Sequence, residues 1–265
     1  PHPHPSPDPS QQPDSYSYTD AIADHAVRFI HEHDTKKPFF MYVAFTAAHW
    51  PMHAKEKDLE KYKGHYKEGY STVRATRYQK MLQHGLVTKD STTLWPLEEQ
   101  WGEHGEYWPW DERNMEVYAA MVEAMDFHTG RLIQHLKNTG HYENTIFIFA
   151  SDNGSEGSGA GVEPAPANNL MLSLMDYNDD HETLGLKGSY GTLGPNFASA
   201  AASPLGFYKF YVGEGGLRVP LIIAGEPLNL SDSNSIIDAF SYATDIVPTI
   251  LQLTGVPQPN GRYNS

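Results

Sequence analysis

The stretch TIFIFASDNGSEGSG, residues 145–159, decides how this chain is read. Residues 145–150 are a short, continuously apolar run rich in β-branched and aromatic residues, the pattern of a strand buried on both faces of a sheet. The run stops at Ser151-Asp152-Asn153-Gly154, which sets a carboxylate beside a carboxamide on a tight turn at the strand's carboxyl end. In open α/β sheets that edge is where ligands bind. Asp152 and Asn153 offer only hard oxygen ligands, so a metal held there is Ca2+ or Mg2+ rather than zinc. Asp-Asn-Gly is also ordinary turn chemistry. These four residues alone do not separate a metal site from a plain strand end.

Composition narrows the partners. A chain of 265 residues can bury a substantial core in one large or two small domains. Its net charge of −14 argues against nucleic acid or an anionic membrane as the main partner. An anionic substrate must therefore be received by local cations. No stretch has the length and apolarity of a membrane-spanning helix. The absence of cysteine excludes disulfides, thiolate metal sites and a cysteine nucleophile within these residues. Nothing in them chooses between a secreted or periplasmic location and a cytoplasmic one.

Outward from the central stretch, residues 1–15 are rich in proline and read as an extended segment, with residues 16–265 as the folded domain. A helix comes next, with Thr19 or Asp20 as N-cap and Ile22, Ala26, Phe29 and Ile30 on its apolar face. Pro38 introduces a second buried strand, residues 39–46 (FFMYVAFT), which ends at Ala47-Ala48-His49-Trp50-Pro51. Residues 55–84 hold eight of the nineteen Lys and Arg and read as a solvated helix and loop surface. Residues 91–113 carry Trp95, Trp101, Trp108 and Trp110 and read as an aromatic-packed loop.

The clearest helix spans residues 115–138, with Tyr118, Met121, Val122, Met125, Thr129, Leu132, Ile133 and Leu136 on one face and Gly140 as C-cap. It feeds the strand at 145–150. Residues 154–206 read as a long Gly- and Pro-punctuated loop. Then come Phe207-Tyr208-Lys209-Phe210, a Glu-Gly-Gly turn, a third buried strand at 219–224, a turn at 231–235 and a last helix capped by Thr244 or Asp245 and ended by Gly255. His49, the Asp152/Asn153 pair and Lys209 all fall beside strands. A divalent cation, an imidazole and an ammonium are what cleavage of an anionic ester requires. Singly, each also has a plain structural role.

Six segments carry a family resemblance: KPFFMYVAFTAAHWPMHA (37–54), KYKGHYKEGY (61–70), YAAMVEAMDFHTGRL (118–132), NTIFIFASDNG (144–154), FYKFYVGEGGLRVPLI (207–222) and ATDIVPTILQLTGV (243–256). In that order they resemble the type I sulfatases of the alkaline-phosphatase superfamily, above all the bacterial and fungal arylsulfatase branch. The resemblance implies an α/β, alkaline-phosphatase-like fold, a mostly parallel sheet flanked by helices and incomplete in this chain. It implies a sulfuric ester hydrolase acting on a small-molecule or carbohydrate sulfate ester. Asp152 and Asn153 look like two ligands of an active-site Ca2+. His49 resembles the histidine that contacts sulfate and assists the leaving group, and Lys209 the lysine that binds sulfate oxygens beside it. Ca2+ takes about six to eight oxygens, so further acids must come from elsewhere. In the family they are paired aspartates near the amino terminus, preceding everything present here. The family's formylglycine nucleophile arises from a Cys/Ser-x-Pro/Ala-x-Arg motif that this chain lacks. The chain is therefore expected to be the carboxyl-terminal part of a catalytic domain, inactive without its missing amino-terminal half. A phosphate or phosphonate ester hydrolase of the same superfamily and a non-catalytic remnant stay open beside this reading.

Overall fold

A computed structural model describes residues 16–34, 36–96, 109–157, 172, 174–228 and 235–257. The extended segment expected at 1–15, Trp101, Trp108 and most of the turn expected at 231–235 lie outside the described residues. The chain divides into two compact units, Pro1–Asn229 and Leu230–Ser265.

In the first unit, helix α1 (Tyr18–Glu32) starts earlier than expected. Ser17, not Thr19 or Asp20, is the N-cap, its hydroxyl accepting the Asp20 amide N–H. The buried face is Thr19, Ala23, Ala26 and Ile30, small enough for α1 to lie close against α4, while Phe29 is exposed. The long helix α4 (Pro109–Asn138) begins at a proline, whose fixed φ and missing N–H suit the first turn. Its buried face is rotated from the expected one. Asn114, Val117, Ala120, Met121 and His128 point inward, whereas Val122 is exposed. The basic run falls on the short helix α2 (Glu56–Leu59), the longer helix α3 (Gly69–Gln83) and the turns beside them, most of it solvated as expected. Arg74 departs from that surface, buried with its guanidinium donating to the Trp95 carbonyl, whereas Arg77 stays exposed while its guanidinium donates to the Ser203 carbonyl.

The loop expected throughout 154–206 contains helix α5 (Gly194–Ala202). Pro195 sits in its first turn, and its Ala- and Ser-rich surface lets Phe197, Ala198 and Ala200 reach the core. That core gathers Met52, Leu59, Met115, Val117, Ala120, Met121, Leu193, Phe197 and Tyr208. Two of these residues hold functional candidates in place. Met52 anchors the segment after His49, and Tyr208 adjoins Lys209.

The strands depart furthest from expectation. Strand β1 (Phe147–Ala150) pairs antiparallel with β2 (Leu221–Ala224), in register Phe147↔Ala224 through Ala150↔Leu221. This ribbon is not buried on both faces: β2 is exposed along its length. Residues 39–46 pair with no strand among the described residues. They alternate strictly between half-buried and exposed, so the backbone is extended but only one face finds a neighbour. Phe40 is 75% and Tyr42 82% exposed. Between β1 and β2 lies a short helical turn, α6 (Glu214–Leu217), made by the Glu-Gly-Gly segment. No helix among the described residues is long and apolar enough to cross a membrane.

The second unit holds a 3-10 turn, Ala243–Asp245, running into helix α7 (Ile246–Thr254). Asp245 is its N-cap, and Gly255 ends it at φ +69°, as the sequence predicts.

Candidate active site

Three chain segments meet beside the core. The first is the extended stretch ending at His49. Its continuation is tied down by the amide N–H groups of Met52 and Ala54, which donate to the carbonyls of Gly191 and Gly185 at 2.9 Å each. The second is the turn after β1, residues 151–157. The third is the FYKF segment between α5 and α6.

The second and third segments are stitched through backbone. The Gly154 N–H donates to the Gly216 carbonyl (3.1 Å), and the Lys209 N–H to the Ser155 carbonyl (2.8 Å). Such close approach explains the glycines. A Cβ on Gly154 would overlap the Gly215 carbonyl, one on Gly215 the Phe207 carbonyl, and one on Gly157 the Tyr208 ring. Phe207 (φ +65°) and Phe210 (φ +78°) adopt left-handed conformations on either side of Tyr208 and Lys209. Bulky residues there are strained, and strain of this kind concentrates where a side chain must be aimed.

The result brings His49 and Lys209, 160 residues apart, into contact, with Lys209 Nζ 3.4 Å from His49 Nε2. His49 Nδ1 lies 2.7 Å from the Trp50 carbonyl. A carbonyl only accepts, so Nδ1 carries the proton, and Nε2 presents its lone pair to the ammonium. The ring is thus held by its neighbour with Nε2 facing the site.

One residue of the site goes unrecognised in the sequence. Glu156 Oε2 lies 2.6 Å from Lys209 Nζ and 3.9 Å from His49 Nε2. Its side chain is 9% exposed, against 22% for Lys209 and 45% for His49, so the carboxylate forms the floor and the imidazole the rim. The only sequence signal is a lone acid set among Gly and Ser, three residues past Asn153. Aromatic rings line the approach, with Trp50 4.8 Å from the His49 ring and Tyr190 5.7 Å from Trp50. Burial raises the Tyr190 phenol above its ordinary range, and the charges of Tyr177 and Glu156 add to that effect, which sets this ring near the same carboxylate.

Asp152 and Asn153 occupy the turn that continues into Ser155 and Glu156. No hydrogen bond or ion pair among the described residues links either of them to His49 or Lys209. Asp152 is exposed, and the Asn153 side-chain N–H donates to the Gly154 carbonyl, while its side-chain oxygen accepts no hydrogen bond from the described residues. Two hard oxygen donors on one turn fit Ca2+ in kind. They fall short in number, and among the described residues no group of three or more His, Asp or Glu is arranged to hold a metal ion. Trp95 and Trp110 do not form one wall: Trp95 packs on Phe207, while Trp110 donates to the Asp179 carbonyl.

The fold is of the alkaline-phosphatase-like α/β class, seen here as a helix-rich unit with a small sheet. Its solved neighbours include BT4656 in complex with its substrate D-glucosamine-2-N,6-O-disulfate (TM-score 0.53, 20% identity, 91% of this chain and 49% of that one). Another is Ps i-CgsB in complex with k-i-k-neocarrahexaose (TM-score 0.52, 22% identity, 91% of this chain and 35% of that one). Within that class the chain belongs to the sulfatase family, whose model matches residues 3–256. It is 36% identical over 251 residues to an uncharacterized sulfatase of Schizosaccharomyces pombe, covering 91% of this chain and 44% of that protein. It is 30% identical over 254 residues to an arylsulfatase of Klebsiella aerogenes, covering 94% of this chain and 53% of that protein. The chain thus spans about half the length of these curated relatives.

Proposed function

We propose that the protein carrying this chain is a sulfuric ester hydrolase of arylsulfatase type, acting on the sulfate monoester of a phenol or a sugar. The observation that carries this reading is the 3.4 Å approach of Lys209 Nζ to His49 Nε2 at the end of the β1 turn. An ammonium there binds a non-bridging sulfate oxygen and withdraws charge from it. The imidazole serves the other end of the reaction. As the ester S–O bond breaks, the leaving oxygen takes a proton from His49 Nε2. That nitrogen is an acceptor in the resting arrangement, so it must first gain a proton from solvent, to which its half-exposed ring is open.

Asp152 and Asn153 are the residues that hold Ca2+ in this reading. When bound, the ion supplies Lewis-acid stabilisation of the sulfate oxygens. The remaining metal ligands and the nucleophile, a formylglycine in the family this chain resembles, come from polypeptide beyond residues 1–265. The half-length match to the relatives supports such a division of the site.

The test is turnover of 4-nitrophenyl sulfate against 4-nitrophenyl phosphate by the protein carrying this chain, with and without added Ca2+. The sulfate ester should be hydrolysed in preference, and Lys209→Ala should lose roughly 10^2–10^3 in kcat. Preference for the phosphate, or no turnover of either, overturns the assignment.

A further inference from the structure

We propose that Glu156 is a positioning residue, the resident counter-ion that holds Lys209 beside His49 and stays paired with the ammonium while sulfate binds its remaining N–H groups. The inference rests on the sulfate-ester reading and adds a residue to it. A carboxylate with 9% exposure is costly to bury unless it is paired. Glu156 is paired with Lys209 at 2.6 Å, in a contact set by backbone, since the Lys209 N–H donates to the carbonyl of the residue just before Glu156. Gly157 lies so close to the Tyr208 ring that a Cβ there would overlap it. Among the groups around the carboxylate are Lys209, His49 at 3.9 Å and, through its charge, Tyr190.

The arrangement has two opposed effects. The carboxylate draws the ammonium to one place beside Nε2, which orients it for the transition state. It also sets a negative charge where an anion must bind, and so weakens the hold on sulfate in the ground state and on released sulfate. Such a group spends binding to gain turnover.

The test uses inorganic sulfate as the probe and 4-nitrophenyl sulfate as the substrate, in the protein carrying this chain. Glu156→Gln keeps the shape and removes the charge. It should tighten the Kd for sulfate about tenfold while lowering kcat about tenfold. Glu156→Asp should return both toward the parent values. Opposite movement of affinity and turnover is not what a purely structural role produces. Sulfate affinity that is unchanged or weaker in Glu156→Gln overturns the inference and leaves the hydrolase reading standing, whereas a parent protein that neither binds sulfate nor turns over the ester overturns both.

Should Glu156→Gln fail to fold, the pairing is still measurable from the lysine side. Lys209→Met removes the buried carboxylate's ammonium partner and should lower the thermal midpoint, and adding Glu156→Gln to it should recover part of the loss. No recovery in the double variant overturns the counter-ion role.

Discussion

Two regions of this chain, both rich in apolar residues, end up in opposite conditions. Around His49, Lys209 and Glu156 the backbone is closed on itself, with Met52 and Tyr208 buried and three glycines allowing carbonyls and amides to meet. Along residues 39–46 and the β1–β2 ribbon, side chains as apolar as those of the core stand in solvent, among them Phe40, Tyr42, Ile222 and Leu221. The difference shows that apolar patterning states a demand for a neighbour without naming it. Site residues found their neighbours within this chain, whereas the strand-like runs found one-sided cover.

Breaking the site corner should cost most. His49→Ala should slow esters with basic leaving groups by up to about 10^4 and activated aryl esters by little, because proton donation matters most for a poor leaving group. Steady-state kinetics on a leaving-group series check this, and equal loss across the series would remove His49 from the acid's role. Next, Phe197→Ala in the core that also holds Tyr208 should cost about 3–5 kcal/mol in denaturant unfolding. Gly215→Ala, which drives a Cβ into the Phe207 carbonyl, should cost about 3 kcal/mol and reduce turnover with it.

A smaller effect belongs to the far side of α4. Asp20, at the start of α1, pairs with Lys55 and, at 2.7 Å, with His128, whose other ring nitrogen accepts from Arg131. Burial works against ionisation of Asp20, but the hydrogen bonds from Lys55 and His128 outweigh it, so its carboxyl is held below the ordinary range. The folded state therefore binds fewer protons than the unfolded chain over that interval. The stabilisation is complete above the unfolded value of about 3.9 and is lost as pH falls through the lower folded value. Asp20→Asn should cost about 1–2 kcal/mol at neutral pH and flatten the acid side of the stability–pH curve. An unchanged acid limb would deny Asp20 this role.

The smallest effect should lie on the exposed region. Tyr42→Thr should change stability by no more than about 0.5 kcal/mol yet reduce self-association of the chain in sedimentation, since large exposed apolar faces associate. A large destabilisation would mean that the two regions are less different than their exposure suggests.

Legibility in the sequence divides along the same line. The strand before Asp152, the helix ended by Gly255 and the long α4 are readable as elements from local pattern, although β1 lacks cover on both faces and α4 buries a face rotated from the expected one. Lys209 and His49 are 160 residues apart, and their shared place beside strands, strengthened by the family resemblance, is what groups them in the sequence. Glu156 escapes notice because what makes it special is burial beside Tyr208 and contact with Lys209, neither of which a Ser-Glu-Gly triplet encodes. Helix α5 is hidden by Gly194, Pro195 and small side chains that look like loop composition, although in the fold they are what lets the helix approach the core. The extended run at 39–46 reads wrongly as buried on both faces because its composition cannot report whether a second neighbour is present.

The most direct test of the central claim is a crystal structure of the protein carrying this chain, determined with inorganic sulfate and Ca2+. The account predicts sulfate within hydrogen-bond reach of Lys209 Nζ and His49 Nε2, with Asp152 and Asn153 on the ion beside it. Sulfate seated away from Lys209, or Asp152 and Asn153 facing a different surface from it, would contradict the account.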